Sequence, residues 1–390
     1  MKKVITSEKY PIKLWLDDID EKTMDQVVNL ANLPFVHSHV SLMPDAHSGY
    51  GMPIGGVLAT RDVIIPNAVG VDIGCGMCAV KTNLKAKELP KKMLLSIMGE
   101  IRKRIPLGFK HHKDKQDEEL MPQNYDIENM EVVKMQYEPA LKQIGTLGGG
   151  NHFIEIQKDT DDNVWLMIHS GSRNIGKQVA DHYNRKARML NEMWHSSVNV
   201  KMDLAFLPFK TDIAHRYYEE MRYCVEFAFA NRKLMMRRTK EIFSDIFPKV
   251  EFEALINIAH NYAAWENHFG KNVVVHRKGA TSARKGEIGI IPGSQGANSF
   301  IVEGLGNKDS FTSCSHGAGR VMGRKEAVRS LNLADEQQKL ESLGIIHSLR
   351  SKSDLDEAPT VYKDINEVMA NQQDLVKIKV ELSPLAVVKG

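Results

Sequence analysis

Five glycine-rich turns, each beside a side chain capable of metal binding or nucleophilic attack, are the feature that most constrains this chain. They are MPDAHSGYG (43–51), GVDIGCG (70–76), GTLGGGNHFIE (145–155), IHSGSR (168–173) and HGAGR (316–320). Glycine permits close backbone approach and positive φ, which active-site turns need and hydrophobic cores do not. One such turn is weak support. Five in one chain predict a large site that binds phosphates or metal ions.

The segments between these turns predict an α+β fold. β-type runs occupy parts of 40–83 and recur at 152–157, 164–170, 272–278, 287–293, 299–304 and 376–382. Helical patterns occupy 20–33, most of 84–142 around a surface loop at 108–124, about 175–194, 211–246, 250–268 and 363–375. With no internal repeat, low-complexity tract or long Pro/Ser linker, we predict one catalytic domain over 1–390. Its helical insertions are expected at about 84–142 and 174–246.

The composition excludes several classes of protein. Hydrophobic residues make up 42% and charged residues 26%, which is ordinary for a globular enzyme, and a net charge of +3 is too small for wholesale coating of nucleic acid. No run approaches the roughly 20 apolar residues of a membrane span, and the first residues lack the apolar core of a secretory signal. Four cysteines agree with a reducing compartment. The predicted location is therefore the cytoplasm.

Five side chains in or near these turns form a candidate set of metal ligands. Asp72 and Cys75 lie three residues apart, His152 opens a strand, His169 ends the next, and His260 lies in INIAHNY. Taken alone, each histidine is more typical of a core residue than of a ligand. Together, one thiolate, one carboxylate and three imidazoles suit Mn, Fe, Co or Zn better than Mg or Ca.

Cys75 and Cys78 form a C-x-x-C, which is also typical of redox sites and zinc ribbons. There is no second C-x-x-C, and the pair lies in a glycine-rich turn, so both interpretations are disfavoured. Cys78 stays without an assigned role. An oxidant could still join it to Cys75 in a disulfide.

The motifs that are missing point to an unusual nucleophile. There is no G-x-x-x-x-G-K-[ST], which disfavours a P-loop NTPase, and no K-x-D-G, which removes the lysine of common nucleotidyl-transferring ligases. If the chain activates a nucleotide covalently, another residue must attack phosphorus. His316 is the best candidate, since imidazole is a competent nucleophile and the glycines that follow leave backbone amides free for phosphate oxygens.

Eight motifs in order resemble the RtcB family of RNA-splicing ligases over roughly residues 10–390. They are PDAHSGYGMPIGG, GVDIGCGM, GTLGGGNHFIE, IHSGSR, RKGA-x-SAR-x-G, PGS-x-GA-x-SF, SHGAGR and Y-K-D-I. The resemblance implies a single domain of the RtcB type, with β-structure, inserted helices and a central two-metal site. It implies two Mn²⁺ ions, one bound by Asp72, Cys75 and His152 and the other by Cys75, His169 and His260, with the thiolate bridging.

The resemblance also implies GTP as cofactor and His316 as the guanylylated residue. The implied guanylate contacts are Asn151, His152, Phe153, Ile154, Glu155, His260, Asn261, Pro292, Gly293, Ser294, Gln295, Ser299, His316, Gly317, Ala318, Gly319 and Lys389. The apolar run before Lys389 predicts that this end of the chain is packed. The implied reaction joins an RNA 3′-phosphate or 2′,3′-cyclic phosphate end to a 5′-hydroxyl end through a histidine–GMP intermediate, in tRNA splicing or RNA repair.

RNA would be bound mainly through its phosphates, with candidate basic patches at Arg102–Arg104, Arg232–Lys240 and His276–Arg284. Two alternatives are a metal-dependent RNA end phosphohydrolase that uses no nucleotide and a non-catalytic RNA-binding protein. The second leaves the five turns without a purpose. The residues leave open the physiological RNA, the oligomeric state, an activating protein partner and the acceptance of DNA ends.

Overall fold

Seventeen strands and nine helices make up the chain, and the computed structural model describes all residues from 1 to 390. The strands are β1 (Lys3–Ile5), β2 (Ile12–Leu14), β3 (Val36–His47), β4 (Ile54–Thr60), β5 (Val63–Ile64), β6 (Gly76–Lys85), β7 (Phe153–Asp159), β8 (Asn163–Ser170), β9 (Leu207–Pro208), β10 (Ile256–Ala259), β11 (Asn261–His268), β12 (Lys271–Lys278), β13 (Ala280–Ser282), β14 (Ile288–Ile291), β15 (Ser299–Gly304), β16 (Ser313–Ser315) and β17 (Val376–Lys389). The helices are α1 (Glu21–Ala31), α2 (Pro66–Val69), α3 (Lys91–Arg104), α4 (Glu131–Leu141), α5 (Arg173–Met193), α6 (Asp212–Ile246), α7 (Arg324–Ser330), α8 (Leu333–Ser342) and α9 (Ile365–Ala370). The predicted mixture of helices and sheets is confirmed.

Most strands belong to two large sheets. One has the order β1-β2-β3-β4-β12-β11 and the other the order β10-β6-β8-β7-β17-β15-β14. Neighbours in both sheets are antiparallel except β2 and β3. In the seven-stranded sheet β17 lies between β7 and β15, so strands far apart in sequence are direct neighbours.

The seven-stranded sheet is a buried middle layer, as β8 shows. Leu166 and Ile168 belong to one hydrophobic cluster, which also contains side chains of α3 and α6. Trp165 and Met167, on the opposite face, pack in another cluster with Leu340 of α8. A strand buried on both faces reads as a continuous apolar run, which explains the VWLMI pattern.

Three predicted helices agree closely with the structure. The pattern at 20–33 forms α1, whose N-cap Asp20 accepts a hydrogen bond from the backbone of Thr23 at 2.9 Å. The patterns at 175–194 and 211–246 form α5 and the 35-residue α6, which pack together in one hydrophobic cluster. No helix combines the length and apolar character that a membrane-crossing segment needs.

The helix predicted at 250–268 is wrong, because this segment forms β10 and β11. β11 pairs with β12 from Asn261↔Lys278 to His268↔Lys271. A turn at Phe269 and Gly270, both at positive φ, connects the two strands. Ala, Glu and Asn have low strand propensity, so local propensity predicted a helix. Backbone pairing with β6 and β12 makes the segment a pair of strands instead. The helix predicted at 363–375 is shorter, and α7 and α8 form where no helix was predicted.

Candidate active site

A cavity of about 1220 Å³ brings together residues from all five glycine-rich turns. Most of the site residues predicted from sequence line it, namely Asp72, Cys75, Asn151, Phe153, Glu155, His169, His260, Asn261, Pro292, Gly293, Ser294, Gln295, His316, Gly317, Ala318, Gly319 and Lys389. Three others lie behind the wall. His152 contacts Asp72, Ile154 is in the hydrophobic cluster beneath β7, and the Ser299 hydroxyl accepts a hydrogen bond from the Gln157 side chain at 3.0 Å.

The sheet order explains how the five candidate metal ligands meet. Strands β10, β6, β8 and β7 are consecutive neighbours. Four of the candidate ligands lie at or next to an end of one of these strands, and Asp72 lies four residues before β6. Cys75 Sγ lies 3.4 Å from His152 Nε2 and 3.3 Å from His169 Nε2. His169 Nε2 is 3.4 Å from His260 Nε2, and His152 Nε2 is 3.1 Å from Asp72 Oδ2. The side chains thus form two groups that share Cys75.

Hydrogen bonds to backbone carbonyls determine which nitrogens face the centre of this cluster. The Nδ1 atoms of His152 and His169 lie 3.0 Å from the carbonyl oxygens of Leu147 and Asn151, respectively. A carbonyl oxygen only accepts, so each Nδ1 carries the proton and each Nε2 directs a lone pair toward Cys75. Imidazoles oriented in this way by outer hydrogen bonds are typical of metal ligands.

The charge state of the cluster also fits a bound cation. Burial lowers the pKa of His169 and His260 well below the usual value, which keeps both rings neutral. Burial and the nearby Asp72 carboxylate raise the pKa of Cys75, so a thiolate there needs a cation to stabilise it. Neutral imidazoles, one carboxylate and one sulfur are a donor set that suits a borderline transition metal.

Asp45, at the end of β3, holds His316 in place. It is fully buried, and its Oδ2 accepts hydrogen bonds from His316 Nδ1 at 2.6 Å, His316 N at 2.9 Å and Gly317 N at 3.2 Å. Lys363 Nζ donates to the carbonyl oxygens of Pro44 and Ala46 on either side. Because Asp45 Oδ2 accepts from Nδ1, the neutral ring of His316 has its lone pair on Nε2.

The His316 ring lies against the cluster of five candidate metal ligands, with its centroid 4.8 Å from that of His260. The sequence interpretation singled out the turn that contains Asp45 but not the residue. The signal that could have found it is a carboxylate placed among glycines in a β-type segment, which a hydrophobic core would not accommodate without a partner.

A second buried carboxylate, Glu357, organises the cavity wall beside Lys389. Its carboxylate forms salt bridges with Arg320 at 3.2 Å, Arg324 at 3.1 Å and Lys389 at 2.8 Å. It also accepts a short hydrogen bond from the Tyr362 hydroxyl. Burial alone would raise the pKa of Glu357, but Lys389 and Arg324 outweigh it and hold the pKa at about 2. Of Glu357 and its four partners, only Lys389 was predicted as a site residue, although Arg320 and Tyr362 lie in motifs that the sequence analysis quoted.

The predicted packing of the chain's end is confirmed. Lys389 pairs in register with Phe153, and the preceding Val387 and Val388 are 1% and 2% exposed. Next to them Glu155 is buried, one of its carboxylate oxygens has no hydrogen-bond partner, and burial raises its pKa to about 8. An unpaired buried polar atom in a cavity wall is suited to a polar ligand.

Cys78 is not part of the cavity. Its side chain is fully buried in the hydrophobic cluster with Val80 and Ile168, and its sulfur lies 3.9 Å from the carbonyl oxygen of Arg232. Burial raises the pKa of the Cys78 thiol to about 12. Both burial and the thiol form oppose the predicted disulfide with Cys75, because oxidation requires an accessible thiolate.

The predicted basic patches are mostly interior or paired. In Arg102–Arg104, the second and third side chains form ion pairs with acidic neighbours. Arg232 in the range Arg232–Lys240, and Arg277 in the range His276–Arg284, are fully buried. Arg232 and Arg277 bind interior oxygen acceptors, so the last two ranges are not continuous basic surfaces. Lys233, Arg237 and Arg284 are exposed.

Fold and site together define a class of protein in which a cluster of candidate metal ligands lies beside a histidine that is held by a buried carboxylate. Comparison with known proteins gives the family. The model of the family described as tRNA-splicing ligase RtcB matches residues 26–390. The chain is 39% identical to the RNA-splicing ligase RtcB of Escherichia coli K12, with 99% of both chains covered. It is 32% identical to the tRNA-splicing ligase RtcB of Methanococcus maripaludis, with 98% of this chain and 94% of the relative covered. The chain therefore belongs to the RtcB family.

Proposed function

We propose that this protein is a GTP- and Mn²⁺-dependent RNA ligase that joins RNA 3′-phosphate or 2′,3′-cyclic phosphate ends to 5′-hydroxyl ends. The observation that carries the proposal is the Asp45–His316 pair lying against a Cys/His/Asp cluster in one cavity. The relatives are named as RNA-splicing or tRNA-splicing ligases, which supports the same activity. We further propose that residues 1–390 act as one ligase domain, with helical insertions at about 84–142 and 174–246.

In the first step the free Nε2 of His316 attacks the α-phosphorus of GTP. A P–N bond forms, the bond to the β-phosphate oxygen breaks, and pyrophosphate leaves. Asp45 fixes the proton on Nδ1 and stabilises the positive charge that the ring gains during attack. The Gly317 amide already donates to Asp45, so the amide of Gly319, in the same turn after the nucleophile, is the one available to a phosphate oxygen.

The next two steps transfer GMP to RNA and then release it. An oxygen of the RNA 3′-phosphate attacks the GMP phosphorus, which breaks the P–N bond and restores His316. The 5′-hydroxyl then attacks the activated RNA phosphorus, a phosphodiester forms, and GMP leaves.

Two Mn²⁺ ions would be held by Asp72, Cys75 and His152 and by Cys75, His169 and His260, and they would neutralise charge on the phosphate oxygens. The remaining predicted guanylate contacts surround the same cavity. We assign guanine recognition to the end of the cavity that contains Glu155 and Lys389. Glu155 offers an unpaired carboxyl group, and Glu357 fixes the ammonium group of Lys389. A positioned carboxyl group and a positioned cation match the donor and acceptor edges of guanine.

The proposal is tested with α-labelled GTP, Mn²⁺ and an RNA pair bearing 3′-phosphate and 5′-hydroxyl ends. Wild type is expected to form an acid-labile protein label and a ligated RNA. His316→Ala should form neither, whereas His111→Ala, which removes an exposed histidine outside the cavity, should behave as wild type. If His316→Ala still takes up the label, the assignment of His316 as the nucleophile is wrong. Removal of the RNA phosphate without GTP and without any label would favour the metal-dependent phosphohydrolase instead.

A further inference from the structure

Tyr50 is a cavity-lining aromatic residue for which the proposed reaction has no role. It is 74% exposed, although it lies in the same cavity wall as His316 and Asp72. Another aromatic residue of the wall, Phe153, is 8% exposed. A single exposed aromatic residue on a surface needs no explanation, but one that lines a reaction cavity is placed where a ligand passes.

The backbone that carries Tyr50 is fixed on every side. The Gln26 side chain donates to Gly49 O at 2.5 Å and accepts from Gly49 N at 3.0 Å. Lys278 Nζ donates to Tyr50 O at 2.6 Å. Gly51 has a φ of +66°, and a side chain there would meet Asp203 O at 2.4 Å. The turn therefore fixes the backbone of Tyr50 and leaves its side chain open to the cavity.

The charges on the Tyr50 side of the cavity are mixed. The segment before and within α1 contributes Asp18, Asp20 and Lys22, and Lys201 and Asp203 line the cavity as well. The nearby Lys278 ammonium group donates to the backbone oxygens of Tyr50 and Asn67. The Tyr50 ring is therefore the distinctive group of this part of the cavity. Stacking on an aromatic face does not depend on attraction of the phosphates and accepts every base.

We propose that Tyr50 is a stacking platform for the unpaired base of an RNA end held for ligation. This inference rests on the proposed function, because it takes RNA as the substrate. Stacking of a base on an aromatic side chain is sequence-tolerant, and single-stranded RNA is recognised in this way by splayed bases. Such a contact in the wall that also contains His316 would hold an RNA end whatever its base.

The test uses RNA strands with 2-aminopurine at the last nucleotide of the 3′-phosphate strand or at the first nucleotide of the 5′-hydroxyl strand. Binding to wild type should quench the fluorescence of one of the two probes, which identifies the strand that is stacked. Tyr50→Phe should keep the quenching, and Tyr50→Leu, which retains apolar bulk without a ring, should lose it. The apparent RNA affinity of Tyr50→Leu should fall about tenfold, within the range measured for loss of one stacked base.

Phe109→Ala is the matched control, since Phe109 is 98% exposed but does not line the cavity. Labelling with α-labelled GTP should be the same in wild type and every Tyr50 variant, because Tyr50 is outside the guanylate contacts. Equal quenching by wild type and Tyr50→Leu, or an affinity loss no larger than that of Phe109→Ala, would overturn the proposal. Absence of the label in wild type would instead refute the proposed function.

Discussion

Replacing Asp45 with asparagine tests how this fold makes a nucleophile of His316. The carboxylate is fully buried and accepts three hydrogen bonds through Oδ2, two from backbone amides and one from the imidazole. An asparagine oxygen can still accept from the two amides, so the turn should fold. What is lost is the negative charge that stabilises the ring as Nε2 attacks phosphorus.

The magnitude follows from the imidazole contact, which is 2.6 Å long. A hydrogen bond to a charged group contributes about 1.5–3 kcal/mol, which corresponds to a roughly 10- to 150-fold slower reaction. This is a lower bound. If the asparagine side chain instead turned its NH2 group toward Nδ1, the two backbone amides would lose their acceptor and the ring would adopt the wrong tautomer. The equivalent change in a Ser-His-Asp triad costs about 10⁴ in kcat.

The assay is single-turnover formation of the protein–GMP label from α-labelled GTP by rapid quench. Asp203→Asn serves as the matched control, since Asp203 also lines the cavity but does not contact His316. Manganese content and melting temperature should be close to wild type in both variants. If Asp45→Asn forms the label within threefold of the wild-type rate, the negative charge of Asp45 does not stabilise the attacking ring and the reasoning is wrong.

Three further predictions concern the metal ligands, the chain's end and a buried lysine. Cys75→Ala should lose most of the manganese bound by both groups of ligands. Cys75→Ser should lose nearly as much, because a serine hydroxyl is not ionised near neutrality. Full manganese occupancy of Cys75→Ala by elemental analysis would contradict the role of Cys75 as a shared ligand. Deletion of Lys389 and Gly390 should weaken GTP use and blur discrimination against ATP. It should also lower the melting temperature slightly, because Glu357 loses one of its buried cations; an unchanged GTP dependence of labelling would reduce Lys389 to a structural role. Burial lowers the pKa of Lys278 from 10.5 to about 7 in the folded protein. Between pH 7 and pH 10.5 the unfolded chain therefore binds one proton more than the folded protein, and the free energy of unfolding should rise with pH. Urea titrations should show a shallower rise in Lys278→Met, and identical slopes would contradict this.

The sequence predicted the candidate site better than it predicted the surfaces around it. His152 and His169 were recognisable because each lies at the end of a short strand beside a glycine-rich turn, and such strand ends converge when the strands are neighbours. Asp45 was missed because its partner, His316, is 271 positions away. Arg232 and Arg277 were assigned to surfaces because a run of basic residues does not reveal that the backbone buries some of them. The helix predicted at 250–268 was wrong because of distant partners as well, since this segment forms strands only by pairing with β6 and β12.

The position of β17 in the seven-stranded sheet has a consequence for synthesis of the protein. β7 and β15 are connected in the sheet only through β17, which pairs with both, and β7 precedes β17 by more than 200 residues. A nascent or prematurely terminated chain that lacks β17 therefore exposes two unpaired strand edges, which are templates for aggregation. Such truncated chains should be inactive and prone to aggregation. Even a ribosome that stalls after β15 but before β17 would therefore release an aggregation-prone product.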